Sequence, residues 1–239
     1  MNSEMIYLLL FATAVASGGT VLFFRMNGKS LNLILSFSAA YLLGITFLHL
    51  VPEIYAEASP ASKDSAAAAT GIFILAGFLL QVIIEFFSEG IEHGHIHVHK
   101  HSEPSFPFTM MFALSVHSFI EGMPLSGEVT ETKQSLAAGI ILHNIPIAIA
   151  LMSMFFQSGI KKTTAFFWLV VFAMMTPLGA LAGNFAGDFI KAEYLMALVV
   201  GIFLHISTTI LFESGDEHRF NLMKLASIFA GIGLAVLFI

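Results

Sequence analysis

The chain contains no cysteine and little charge. None of its 239 residues is cysteine, and Asp, Glu, Lys and Arg together make up 11%. Disulfides and thiolate metal sites are therefore excluded, so a metal would be bound by His, carboxylate, amide, Met or water. Soluble domains are about 25% charged, so 57% hydrophobic residues and a mean hydropathy of +0.86 predict lipid as the surrounding solvent. The net charge of −6 offers no basic surface for nucleic acid.

Apolar runs follow one another along the whole chain. A hydrocarbon core about 30 Å thick needs roughly 20 apolar residues per helix, and the short connections carry one or two charges with Gly, Ser, Pro or Asn. The first run has no basic leader, so we expect a retained helix rather than a secretory signal. We predict an all-α integral membrane bundle forming a single transmembrane domain over residues 1–239. The eight predicted spans are residues 5–24, 33–51, 70–87, 108–126, 135–157, 163–185, 194–212 and 220–238.

Lys and Arg divide unevenly between the predicted loops. Three lie in the even-numbered loops, namely Lys63, Lys133 and Lys191. Seven lie in or beside the odd-numbered loops, namely Arg25, Lys29, Lys100, Lys161, Lys162, Arg219 and Lys224. Because cytoplasmic loops are enriched in Lys and Arg, we expect the odd loops in the cytoplasm and both termini outside. The expected location is the plasma membrane, or the inner membrane of a bacterium.

The fourth predicted span contains two ionisable residues. A charge at the bilayer centre costs about 2.5–3.5 kcal/mol on insertion scales, so such a residue indicates function. His117 and Glu121 are four residues apart and therefore share a helix face. An imidazole and a carboxylate on one face suit Zn²⁺, Mn²⁺ or Fe²⁺. The alternatives are a packed, hydrogen-bonded histidine or an ion pair between helices.

The fifth predicted span repeats this arrangement with His143, Asn144 and Pro146. If the two helices pack side by side, His117, Glu121 and His143 can meet around one ion. Ser118 and Asn144 can then supply further oxygen ligands or outer hydrogen bonds.

At these residues the sequence resembles the ZIP family of divalent metal transporters. Residues 117–122 (HSFIEG) resemble the family's fourth-helix pattern His-Asn-x-Pro-Glu-Gly, sharing its His, Glu and Gly, and residues 143–148 (HNIPIA) resemble a related fifth-helix pattern that ends in Glu-Gly. Residues 49–53 (HLVPE) are similar to the end of its second helix. The resemblance implies an eight-helix bundle of the ZIP type with a metal path between the fourth and fifth helices. It also implies zinc uptake toward the cytoplasm, with Fe²⁺, Mn²⁺ and Cd²⁺ as further candidates.

Two departures from the family pattern affect the expected site. Ile147 stands where family members with two metals carry a bridging carboxylate, and Ser118 replaces the usual Asn. The resemblance therefore implies a mononuclear site whose ligands are His117, Glu121 and His143, with Asn144 and Ser118 in lesser roles. Zn²⁺ would be the transported ion, with no cofactor acting as a catalyst.

Further His and Glu residues can serve the path of the ion. Residues 88–106 are predicted to form a His-rich cytoplasmic loop, in which alternate histidines of an extended chain point one way and can hold metal loosely. These are His93, His95, His97, His99 and His101. The alternative is a solvated loop. The candidate path residues in or beside the spans are His49, Glu53, Glu85 and His205. The alternative is helix capping for His49 and Glu53, and a polar helix end in the headgroup region for Glu85.

Two other classes of protein fit part of this pattern. An intramembrane metal-dependent hydrolase or oxidase would also use an open metal site, but His-Glu-x-x-His and the His clusters of membrane di-iron enzymes are missing. A proton-coupled carrier of organic solutes would use His and Glu as a relay. The expected partners are membrane lipid, divalent metal ions and a second copy of the chain in a homodimer.

Overall fold

The computed structural model describes residues 2–24, 26–56, 63–88, 106–187, 189–212 and 222–237, with side chains from residue 66 in the third range. These residues form helices and short connections, without a strand among them. The helices are α1 Ser3–Gly19, α2 Gly28–Ala56, α3 Lys63–Ser88, α4 Phe108–Gly122, α5 Glu131–Gln157, α6 Lys162–Ala186, α7 Ala192–Phe212 and α8 Leu222–Leu237.

Side-chain caps explain where several of these helices begin. The Oδ1 atoms of Asn2 and Asn27 accept hydrogen bonds from the amides of Met5 and Ser30, at 3.1 and 2.7 Å. Such caps satisfy amides that have no partner within the helix. The cap at Asn27 starts α2 five residues earlier than residue 33, where the apolar run predicted its beginning.

Each predicted span coincides with a helix, but the helices differ in length. Six are long and apolar enough to cross a membrane, namely α1, α2, α3, α5, α6 and α7. By contrast, α4 and α8 have 15 and 16 residues. Helix α4 ends at Gly122 rather than near Ser126, because Pro124 lies in a 3₁₀ turn, Met123–Leu125, that follows it. The structure confirms an all-helical protein with membrane-capable helices, and eight crossings stay a prediction.

Seven of the described helices, α1 to α7, form a ring. Helix α4 lies between α3 and α6, and α5 lies between α1 and α2. Helix α7 closes the ring by packing against α2 and α3, α1 contacts α6, and α8 packs on the outside of α2. Helices α4 and α5 are absent from the closely packed pairs of the described chain. Their backbones are thus held by other helices, and space between them remains for side chains.

Glycines bring the backbones of α4 and α6 into direct contact. A Cβ at Gly179 would overlap the carbonyl oxygen of Phe119, and one at Gly122 would overlap that of Thr176. Gly183, one turn beyond Gly179, lies equally close to the carbonyl of Met123. Small residues at this spacing are the usual means of close helix packing in lipid, where apolar burial contributes little. These contacts determine the position of the C-terminal half of α4.

We expect Gly179→Ala to destabilise the protein, because the added methyl would meet the backbone of Phe119. Overpacking of this kind costs about 1–3 kcal/mol, and Tm should fall by roughly 2–4 °C per kcal/mol. The measurement is thermal unfolding of the purified protein in detergent.

Gly233→Ala is the matched control. Gly233 is an exposed glycine of α8, and no atom lies within 4 Å of the position that a Cβ would take there. The Tm of Gly233→Ala should therefore stay unchanged or rise slightly, because Ala has a higher helix propensity than Gly. An equal loss of Tm in both variants would contradict the proposed contact.

Candidate metal site

Three buried side chains converge between α4 and α5. His117 and Glu121 lie one turn apart on α4, and Nε2 of His117 is 3.1 Å from Oε1 of Glu121. The imidazole of His143, on α5, faces that of His117 edge-on with 5.9 Å between ring centroids. One ligand atom from each of the three lies within 4.8 Å of the others, and all three residues are fully buried. The structure thus brings together the residues that the sequence patterns singled out.

Gln81, on α3, also contacts His117. The sequence patterns did not single this residue out. Its Oε1 lies 3.0 Å from Nδ1 of His117, and the side chain is fully buried. The available signal was the spacing of Gln81 and Glu85, since two polar residues four apart on an apolar helix share one face. Gln81 therefore connects α3 to the candidate site.

Oxygen atoms of neighbouring residues enlarge the polar region. Asn144 donates a hydrogen bond from Nδ2 to Oγ1 of Thr176, at 3.4 Å, so its amide is oriented by α6. Thr176 was also missed by the sequence analysis. The Oγ of Ser118, the Oδ1 of Asn144 and the Oε2 of Glu121 are buried and make no hydrogen bond with the described residues. Buried polar atoms of this kind need a partner, and a cation would provide one.

The chemistry of the cluster suits a divalent ion. Zn²⁺ lies about 2.0–2.2 Å from His nitrogen and carboxylate oxygen, so tetrahedral ligands are roughly 3.3–3.6 Å apart. Because the ligand atoms lie up to 4.8 Å apart, the side chains must move about 1 Å closer together to bind Zn²⁺. Two imidazoles and one carboxylate leave a coordination position for water or another ligand, which an ion in transit requires. Ile147 is buried and apolar, so α5 supplies no bridging carboxylate at that position.

A second polar contact joins α3 and α7. Nε2 of His205 makes a short contact with Oε2 of Glu85, and the edge of the His205 ring meets Phe78 at a centroid distance of 4.9 Å. Both side chains are partly exposed. The sequence patterns indicated His205 and Glu85 as separate candidates for the ion path, and they do not predict that the two residues pair.

His49 and Glu53, the described candidates on α2, are not part of the three-residue cluster. His49 is half-buried in a π-helical turn of α2, Thr46–Leu50, and Glu53 is half-buried in the following α-helical segment, Val51–Ala56. Turns of this type occur often at functional sites. His93, His95, His97, His99 and His101 lie outside the described residues, so their role as a metal buffer stays a prediction.

The fold and the buried cluster define a helical protein with membrane-capable helices and a group of side chains that could bind a divalent metal ion. The family model described as ZIP Zinc transporter matches residues 105–239, which include α4 to α8. The chain therefore belongs to the ZIP zinc transporter family. This membership confirms the resemblance seen in the sequence and places the chain in a family of transporters rather than enzymes.

Individual relatives are similar to this chain over different lengths. Zinc transporter ZIP1 of Danio rerio is 34% identical, over 61% of this chain and 51% of its own length. Zinc transporter ZIP13 of Pongo abelii is 27% identical, over 92% of this chain and 70% of its own. Zinc transporter zipt-7.1 of Caenorhabditis briggsae is 22% identical over 90% and 74%. The chain thus spans about half of the ZIP1 protein and more of the others.

We expect a double-mutant cycle on Glu85→Ala and His205→Ala to show coupling. Because each residue is the other's partner, removing both should cost less than the sum of the single changes, by about 0.5–3 kcal/mol for groups in contact. The measurement is thermal unfolding in detergent. Glu193→Ala combined with His205→Ala is the control, since Glu193 contacts Lys191, and its effect should add. Additive effects of Glu85→Ala and His205→Ala would contradict the pairing.

Proposed function

We propose that the chain imports divalent metal ions, most readily Zn²⁺, into the cytoplasm through a mononuclear site formed by His117, Glu121 and His143. The observation that carries this proposal is the convergence of these three buried side chains inside an apolar bundle. Membership in a zinc transporter family supports the same conclusion. Asn144 and Ser118 lie beside the three ligands on α5 and α4 and offer oxygen atoms as the ion enters or leaves.

The electrostatics of the cluster favour a cation. A carboxylate buried without a partner is strongly destabilised, so Glu121 needs positive charge nearby. His117 meets this need when protonated, and a divalent ion meets it better, because it also occupies the lone pairs of both imidazoles. Bound imidazole must be neutral and bound carboxylate ionised, so protonation of the ligands weakens metal binding. This exchange gives the ion a route of release.

A path through the bundle follows from the predicted orientation. With the odd loops in the cytoplasm, α2 ends outside and α3 ends inside, so His49 and Glu53 lie on the outer side of the cluster. Glu85 lies one helical turn from Gln81, a rise of about 6 Å toward the cytoplasmic side, and contacts His205. We infer that ions pass from His49 and Glu53 to the cluster, and then to Glu85 and His205. The His-rich loop, residues 88–106, would receive them.

We further propose that the protein lies in the plasma membrane, or the inner membrane of a bacterium, with both termini outside and with eight spans that include α4 and α8. Large apolar side chains are exposed on the described helices, and we propose that they contact lipid. These include Phe86, Phe112, Phe167, Phe185, Phe212 and Phe229. A homodimer remains part of the proposal. Similar ligand sets bind Fe²⁺, Mn²⁺ and Cd²⁺, so these ions should compete with Zn²⁺.

Glu121→Gln should lower ⁶⁵Zn uptake by at least about tenfold, since the amide keeps the volume of the carboxylate but loses its charge as a ligand. His117→Ala and His143→Ala should behave alike. Uptake is measured in cells and normalised to the amount of protein in the membrane.

The matched control is Glu193→Gln, the same chemical change at a residue that pairs with Lys191 outside the cluster; it should leave uptake unchanged. Uptake at the wild-type level by Glu121→Gln would contradict the proposed metal site. Flux of Zn²⁺ into proteoliposomes without any added substrate separates a transporter from a metal-dependent hydrolase or oxidase.

The absence of cysteine allows a direct test of the orientation. Glu128, between α4 and α5, and Thr163, in the first turn of α6, are exposed, so Glu128→Cys and Thr163→Cys each introduce a single accessible thiol. A membrane-impermeant maleimide added to intact cells should label the first variant, and the second only after permeabilisation. The opposite labelling pattern would reverse the direction of the proposed path.

A further inference from the structure

We propose that Gln81 is a positioning residue that selects the tautomer of His117 and so presents Nε2 to the metal ion. Because His117 is a ligand only under the proposed function, the role of Gln81 depends on that function. Gln81 lies on α3, whereas the three proposed ligands lie on α4 and α5.

The atoms in contact determine which nitrogen carries hydrogen. Oε1 of Gln81, 3.0 Å from Nδ1 of His117, is an amide oxygen and can only accept a hydrogen bond. Nδ1 must therefore be the donor, and in the neutral imidazole the lone pair is on Nε2. Nε2 is the atom that lies 3.1 Å from Glu121. The contact with Gln81 thus directs the metal-binding lone pair of His117 toward the other ligands.

The structure holds Gln81 in place from both sides. One turn before it, Gly77 packs so closely on α7 that a Cβ would overlap the carbonyl oxygen of Leu198. One turn after it, Glu85 contacts His205, also on α7. Between these two points α3 cannot shift along α7 without breaking one of the contacts. The segment of α3 that carries the amide is therefore fixed relative to α7, and α3 also packs against α4, as suits a partner that orients a metal-binding imidazole.

The effect of losing this acceptor follows from the same contact. Without the oxygen of Gln81, the tautomer with hydrogen on Nδ1 is no longer favoured, and the tautomer with hydrogen on Nε2 blocks the ligand atom. Removal of such a hydrogen-bond partner lowers metal affinity by about 10–100-fold in other metal sites. The loss should fall on metal affinity rather than on folding, because Leu can fill the same buried volume.

Gln81→Leu is the central variant, and Gln81→Glu is the conservative one, since a carboxylate oxygen also accepts from Nδ1. Zn²⁺ uptake is measured as a function of Zn²⁺ concentration and normalised to membrane protein. We expect Gln81→Leu to raise KM by about tenfold or more while kcat changes less, and Gln81→Glu to restore most of the affinity. Gln157→Leu, the same change at the exposed end of α5, should leave KM unaltered.

A second measurement is independent of transport. The ¹⁵N chemical shifts of labelled histidine in the purified full chain, saturated with Zn²⁺, show which nitrogen of His117 binds the ion, and His117→Ala identifies the signal. In the wild type and in Gln81→Glu, Nε2 of His117 should bind zinc while Nδ1 carries hydrogen, whereas Gln81→Leu should lose this single zinc-bound form.

An unchanged KM in Gln81→Leu, or a His117 signal that does not respond to the substitution, would overturn the role of Gln81. If the role of Gln81 fails but His117→Ala and Glu121→Gln lose uptake in the same assay, the proposed function still stands. If those two variants keep wild-type uptake, the proposed function fails, and the role of Gln81 in metal binding fails with it.

Discussion

The burial of Glu121 close to two imidazoles is the interaction on which the rest of the site depends. A carboxylate in the interior of an apolar bundle is tolerated only with a cation or several hydrogen bonds beside it. His117 is supplied by the same helix one turn away, and His143 by α5. Gln81 and Thr176 reach His117 and Asn144 from α3 and α6. Four helices must therefore be placed correctly before this one charge is accommodated.

Close backbone packing is what places them. Gly122 and Gly179 let α4 and α6 touch along their main chains, and Gly77 does the same for α3 and α7. Helices α4 and α5, by contrast, are not among the closely packed pairs of the described chain. The polar side chains of the site lie in the space that remains between them. The rigid contacts thus surround the site, and the ligands occupy the part of the bundle where side chains have room to adjust to an ion.

The proposed ligand set has a single carboxylate, which has consequences for the proposed transport. Ile147, which by resemblance to the ZIP family stands at the position of a bridging carboxylate, is buried and apolar. One carboxylate neutralises only part of the charge of a divalent ion, so the complex keeps net positive charge in a poorly solvated environment. Binding is then weaker than in a site with two carboxylates. Weaker binding would suit the proposed transport, in which the ion is released as well as captured.

The sequence by itself determined the all-helical class with membrane-capable helices, the approximate positions of those helices and the three residues that cluster between α4 and α5. Composition and the length of apolar runs reflect the solvent, and His117 and Glu121 share a face through helix periodicity alone. Only the tertiary structure decided that Gln81 faces His117, that Thr176 orients Asn144, and that Glu85 pairs with His205. These contacts join residues between 32 and 120 positions apart. They depend on which helices pack together, which the periodicity of a single helix does not encode.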